Sequence, residues 1–182
     1  MLRKERGAGS RESSINLLLT KGAGADALFR ASRSLAPRLP RSSIVPAFYE
    51  RALFEDRALV EWLLQQGGDD VRYRLAQVLL DDAVRERYDV VLIDVPPRLT
   101  TGTINALCAS THVLVPTIFN PLAAEPVENF IRASKLLMDK LNPKLSFVGV
   151  VETMTPPPNQ GLDVRAEGQR MVAEALQSIS PA

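Results

Sequence analysis

One cysteine, Cys108, and one histidine, His112, leave this 182-residue chain little material for metal or nucleophile chemistry. A lone thiol forms no intramolecular disulfide and no Cys-rich metal cluster, and it suits a reducing cytoplasm. With a single residue of each kind, a zinc site or a Cys–His nucleophile pair is argued against. In "INALCAS" Cys108 reads as a small buried apolar residue rather than a reactive thiol. His112, between Thr111 and Val113 at the mouth of a strand, reads as structural or solvated. No apolar run approaches the length of a membrane span, and no signal-peptide core follows Met1. No G-x-G-x-x-G follows a strand, which sets aside a nicotinamide-dependent dehydrogenase. Charge of one sign is also lacking: 22 Lys and Arg stand against 21 Asp and Glu. The balance neither favours nor disfavours nucleic acid.

What is present has the size of one domain with ordinary apolar and charged content. The near-neutral total hides an asymmetry, because residues 1–41 hold nine Lys or Arg against three acids. A start such as "MLRKERGAGSRESS" reads as a basic, partly mobile N-terminal segment, 1–41, ahead of an α/β domain, 42–182. Glu5 and Glu12 count against a transit peptide.

Past the segment, "SIVPA" (43–47) reads as a short strand closed by Pro46. From Phe48, Ala52, Leu59, Trp62 and Leu63 recur at helical spacing until "GGDD" (67–70), where Asp70 is placed to cap the next helix. That helix carries Val71, Leu75, Val78 and Leu79 on one face. A strand Val90–Asp94, a helix near Thr103–Ala109 and a strand "HVLVPT" (112–117) follow. A longer helix with Val127, Phe130, Ile131, Leu137 and Met138 inward leads to the strand "SFVGVV" (146–151). After the loop "TPPPNQG" comes a last helix around Ala166–Leu176. Uniform apolar strands separated by helices predict a three-layer α/β fold with a parallel sheet buried on both faces. Residues 15–40 add "INLLL" and a weak helix, "ADALFRASRSL", but no clear further strand.

Asp94 ends the apolar run Val90–Ile93 and is followed by Pro96 and Pro97. In open parallel sheets ligands sit beyond the carboxyl ends of the strands. In nucleotide hydrolases an acid there accepts a hydrogen bond from a water on Mg²⁺. The prolines stop the ladder and stiffen the turn, and "RLTTGT" adds hydroxyls and Gly102. The alternative is that Asp94 merely caps the following turn.

The wider stretch "YDVVLIDVPPRLTTGTINALCASTHVLVPT" resembles the ParA/Soj branch of the ParA/MinD family of deviant Walker ATPases. The likeness continues through "PLAAEPVENF" and "LNPKLSFVGVVETM", and "SIVPA" is similar to the short strand before the family's middle helices. It covers roughly residues 43–178. The resemblance implies a P-loop NTPase-like fold and a cytoplasmic ATP-binding protein that dimerises around nucleotide and positions chromosomes, plasmids or other cargo. It implies association with non-specific DNA, or in other branches with membrane. Carried over by motif, Asp94 is the implied catalytic and metal-side acid at Mg²⁺ and Pro96–Pro97 the turn after it. Thr153 and Met154 fall where the family's last strand approaches the base of ATP.

The family's phosphate loop, Lys-Gly-Gly-x-Gly-Lys-Thr, is not found, nor is its first-switch Asp-x-Asp. The nearest echo, "KGAGAD" (21–26), has Asp26 where the phosphate lysine belongs and Ala27 in place of the threonine, and reads as a glycine turn before a helix. Two explanations stand: a truncated or late-started part of a partitioning ATPase, or a catalytically silent interaction module on the same scaffold. Either leaves an incomplete sheet to be covered by residues 15–40, a second copy or a partner protein. Whether the chain is an enzyme stays open at this level. For DNA, Lys135, Lys140, Lys144, Arg165 and Arg170 alternate with acids and read better as a solvated helix face. The Arg-rich segment 30–41 is a second candidate.

Overall fold

A computed structural model describes residues 18–19, 22–47, 59–64, 69–96, 99–155 and 162–177. The expected helix start at 48–58, Gly67–Gly68, Pro97 and most of the "TPPPNQG" loop lie outside the described residues. The fold is mixed α/β and divides into two compact units: described residues within Met1–Ile93 together with Thr100–Asn105, and Asp94–Leu99 together with Ala106–Ala182.

In the first unit, α1 (Ala25–Ala31) starts after an extended Gly24 and carries Asp26 in its first turn and Arg30 in its last. Both charges oppose the helix dipole favourably. The Ser32 hydroxyl donates to the Leu28 carbonyl at 2.8 Å and helps end the helix. The helix expected to run on through "SRSL" therefore stops early. The chain turns instead into an antiparallel hairpin of β1 (Arg33–Ser34) and β2 (Ser43–Ile44), the latter being the "SIVPA" strand. Asp70 caps a 3-10 turn, Val71–Tyr73, by accepting from the Arg72 N–H at 3.0 Å, and that turn leads into α2 (Arg74–Leu79). Asp81 likewise caps α3 (Asp82–Arg87) through the Ala83 N–H. Leu18, Leu28, Val71, Leu75, Val78 and Val84 form the buried interior of this unit.

Helix α4 (Thr101–Ala109) is opened by Thr100, whose hydroxyl accepts from the Thr103 N–H. Its Asn105 is fully buried. The Asn105 amide donates to the carbonyls of Val71 and Thr101 at 2.9 and 3.0 Å and accepts from the Leu75 N–H at 3.1 Å. A buried amide left unpaired would be costly, so three bonds make Asn105 a clamp between α4 and the start of α2.

The second unit holds a two-stranded parallel sheet, β3 (His112–Thr117) with β4 (Ser146–Glu152), joined by the long helix α5 (Pro121–Leu141). Helix α6 (Leu162–Gln177) completes it. Ala124, Val127 and Ile131 of α5 pack with Val172 and Ala175 of α6, against Val115, Phe147 and Val150 of the sheet. Asn120 caps α5 by accepting from the Ala123 N–H at 2.8 Å. Helix α6 approaches that cap so closely that a Cβ on Gly168 would lie 2.6 Å from the Asn120 nitrogen and 2.7 Å from the Phe119 carbonyl carbon.

Two expectations are corrected. Residues 90–94 form no strand and belong to no ladder among the described residues, and Val90 and Leu92 are 73% and 91% exposed. An apolar run becomes a strand only when neighbours supply its hydrogen bonds, and here none does. Nor is the β3–β4 sheet buried on both faces. Val113, Val115 and Thr117 alternate with exposed Leu114 and Pro116, and Val148 and Val151 are exposed on β4. Helices cover one face only.

Candidate functional site

The carboxyl ends of β3 and β4 are tied together. The Thr153 N–H donates to the Thr117 carbonyl at 2.7 Å, and the Thr153 hydroxyl donates to the same oxygen at 3.2 Å. These bonds carry the pairing one residue past β4. Met154 follows with φ of 51°, the left-handed region, and an exposed side chain. That conformation costs a non-glycine residue energy and ends the strand sharply. Just before it, Glu152 receives a forked pair of hydrogen bonds from Arg165 of α6, Nε meeting both carboxylate oxygens at 2.7 and 3.0 Å and Nη2 meeting Oε2. The Glu152 hydrogen bonds raise the Arg165 pKa further above its ordinary value.

Asp94 is exposed and makes no hydrogen bond or ion pair among the described residues. It shares its unit with Thr153 and Met154, as does exposed Pro96; Pro97 lies outside the described residues. Mg²⁺ is commonly held by one or two carboxylates together with substrate phosphates and water. A free, solvent-facing Asp94 fits such a role. Among the described residues no three His, Cys, Asp or Glu side chains gather for a metal on their own.

The phosphates of a nucleotide are a different matter. Gly22 turns with φ of 75°, and Gly24 leads into α1 as the glycine turn reading expected. A Cβ on either glycine would meet nothing within 4 Å, so no close backbone approach is built there. Asp26 in the first turn of α1 would repel a triphosphate. The described residues thus fit the magnesium-side acid and do not include a phosphate cradle.

The charged residues weighed for DNA fall into place. Arg165 is engaged by Glu152, Lys135 by Asp139 at 3.7 Å and Arg170 by Glu174 at 4.0 Å. These pairs make the helix faces salt-bridged and solvated, the reading favoured from sequence. His112 is exposed, with Nδ1 2.9 Å from the Thr111 hydroxyl, and Cys108 is half-buried. Sequence reasoning missed the Glu152–Arg165 pair and two asparagines, Asn105 and Asn142. The Asn142 amide donates to the carbonyls of Leu107 and Ser110 at 2.9 Å each and lies 3.4 Å from that of Cys108. Its only sequence signal is "LNP", an asparagine before a proline beyond a long helix.

The described residues form a mixed α/β fold with a small parallel sheet. Residues 54–147 match the family model described as AAA domain, and the chain belongs to that family. Over 88 residues it is 38% identical to the chromosome-partitioning ATPase Soj of Thermus thermophilus, covering 48% of this chain and 35% of that protein. It is 38% identical over 73 residues to the sporulation initiation inhibitor protein Soj of Bacillus subtilis, covering 40% and 29%. The chromosome partitioning protein ParA of Caulobacter vibrioides is 39% identical over 84 residues, covering 45% and 31%. The matched stretch thus spans about a third of these relatives' length. Among solved structures, cobyrinic acid a,c-diamide synthase from Mycobacterium smegmatis, with bound ATP analog and magnesium, superimposes with a TM-score of 0.67 at 22% identity. That match covers 90% of this chain and 59% of the synthase. Among the described residues no helix is long and apolar enough to cross a membrane.

Proposed function

We propose that this chain carries the second-switch part of a ParA/Soj-like ATPase that organises chromosomes, plasmids or other cargo in the cytoplasm. The observation that carries the reading is Asp94: exposed and unpartnered, in an Asp-x-Pro-Pro stretch within a chain 38–39% identical to Soj and ParA over 84–88 residues. When Mg²⁺ and ATP are bound, Asp94 would be the residue on the metal side, with Pro96 and Pro97 following it, and Thr153 and Met154 would serve the base. ATP with Mg²⁺ supplies the γ-phosphoryl group whose presence or loss the second switch senses. The 21–26 turn does not hold the phosphates, because Asp26 stands in the first turn of α1. A second copy or a partner protein covers the exposed face of β3–β4 and completes a three-layer parallel sheet.

The second reading is an interaction module without hydrolysis. Asp26 and the apolar exposure of Leu92, Leu114 and Val148 favour it. Equilibrium binding of ATP to the purified chain, with and without Mg²⁺, separates the two. Mg²⁺-dependent binding that Asp94→Ala abolishes supports the ATPase reading. Absence of binding at millimolar ATP sinks it for this chain acting alone and leaves the module.

A further inference from the structure

The ion pairs of the described residues leave several cations without a carboxylate, among them Arg30 at the end of α1 and three arginines of the β1–β2 hairpin. Arg72, Arg85, Arg132, Lys135, Arg165 and Arg170 each face a carboxylate. Arg30, Arg33, Arg38 and Arg41 face none, are all exposed, and share residues 22–47 with a single acid, Asp26. They sit on a defined scaffold. The loop between the strands is closed by the Leu35 N–H on Ser42 O at 3.0 Å and the Leu39 N–H on Leu35 O at 3.2 Å.

Register sorts the faces. Arg33 pairs directly with Ile44, and Ser34 with Ser43. Directly opposed residues of an antiparallel pair project to the same side. One face therefore presents Arg33 beside Ile44. The other carries Ser34 and Ser43. Leu39, in the connecting loop between Arg38 and Arg41, is 56% exposed, and Ile44 is 48% exposed. Arg87, also exposed, stacks over Phe29 of α1 at 4.8 Å, with Glu86 and Asp89 flanking it in sequence.

The geometry points to this hairpin as a peripheral docking surface for an anionic lipid leaflet. Unpaired arginines meet headgroup phosphates, and Leu39 and Ile44 enter the headgroup–acyl boundary. Charge alone would also suit a nucleic-acid backbone, but a phosphodiester chain offers nothing to two exposed aliphatic side chains. A lipid surface takes both. The hairpin lies outside residues 54–147, the part matched to the AAA domain, so the surface stands independently of the nucleotide reading.

The test is co-sedimentation of the full chain with vesicles of phosphatidylcholine alone, or containing about 30% phosphatidylglycerol, at physiological salt. Each arginine near such a surface contributes about fivefold, so Arg33→Gln with Arg38→Gln should weaken binding about 25-fold. Leu39→Ser should weaken it by roughly tenfold. All three side chains are exposed and unbonded, and an unchanged melting temperature confirms that each variant folds. Binding confined to anionic vesicles and weakened by both variants is the expected result. No vesicle binding, or binding indifferent to the arginines, overturns the assignment. So does tighter binding to a DNA duplex that ignores Leu39→Ser and whose log–log salt slope falls by about 0.9 per arginine removed.

Discussion

Removing the Asn142 side chain should lower the melting temperature by several degrees. The Asn142 amide has two hydrogens, and they reach the carbonyls of Leu107 and Ser110 at 2.9 Å each, with that of Cys108 at 3.4 Å a shared, weaker contact. Leu107 and Cys108 belong to the last turn of α4, where carbonyls have no partner within the helix. Asn142→Ala deletes two good neutral hydrogen bonds, worth about 1 kcal/mol each. It also strands half-buried carbonyls, which water reaches only in part, so the sum is about 2–3 kcal/mol. For a chain of this size that corresponds to a fall of roughly 4–12 °C. Asn142→Asp sharpens the test. At neutral pH it turns a carboxylate toward carbonyl oxygens, so the charged form is disfavoured in the fold and its folded pKa rises above the unfolded value of about 3.9. A raised folded pKa gives relative stability that is full below the unfolded pKa and lost as pH rises through the folded one. Asn142→Asp should therefore be less stable than Asn142→Ala at pH 7 and recover toward pH 4. Thermal melts followed by circular dichroism at both pH values decide it. An Asn142→Ala melt within about 1 °C of the parent would refute the cap.

Gly168→Ala sets two magnitudes against each other. Alanine gains about 1 kcal/mol in a helix interior, but its Cβ would sit 2.6–2.9 Å from backbone atoms of Phe119 and Asn120, which cannot rotate away. Overpacking of about 1–3 kcal/mol should win, and denaturant titration should show a lower midpoint; an unchanged or higher one contradicts the close approach. Asp70 has its pKa lowered, chiefly by the hydrogen bonds from the Arg72 side chain. A depressed folded pKa gives stability present above the unfolded pKa and lost as pH falls through the folded value. The advantage of the parent over Asp70→Asn should thus be seen at pH 7 and shrink as pH drops below about 4. A difference independent of pH would assign Asp70 to capping alone.

Much of the second unit was legible before the structure. Val127 and Ile131 recur at helical spacing, and the runs 112–117 and 146–151 formed the strands expected of them. Local pattern suffices where the partner element lies close along the chain. The Val90–Asp94 run has the same apolar character and forms no strand among the described residues, because its fate rests on neighbours a local pattern does not contain. Burial on both faces of the sheet failed for the same reason: β3 and β4 were apolar enough for two covered faces and received one. Asn105 and Asn142 were invisible as clamps, since all but one of the carbonyls they hold lie more than 30 positions away along the chain.

From sequence alone came the α/β class, the cap at Asp70, the glycine turn at 21–26 with its disqualifying Asp26, and the likeness to ParA and Soj. These follow from backbone propensity, periodicity and residue chemistry, which act over a few positions. Tertiary structure alone decided that, among the described residues, Asp94 stands free, Arg165 is taken by Glu152, and the hairpin arginines meet no carboxylate. Whether a charge is paired or available depends on what distant segments place beside it, and no stretch of sequence carries that information.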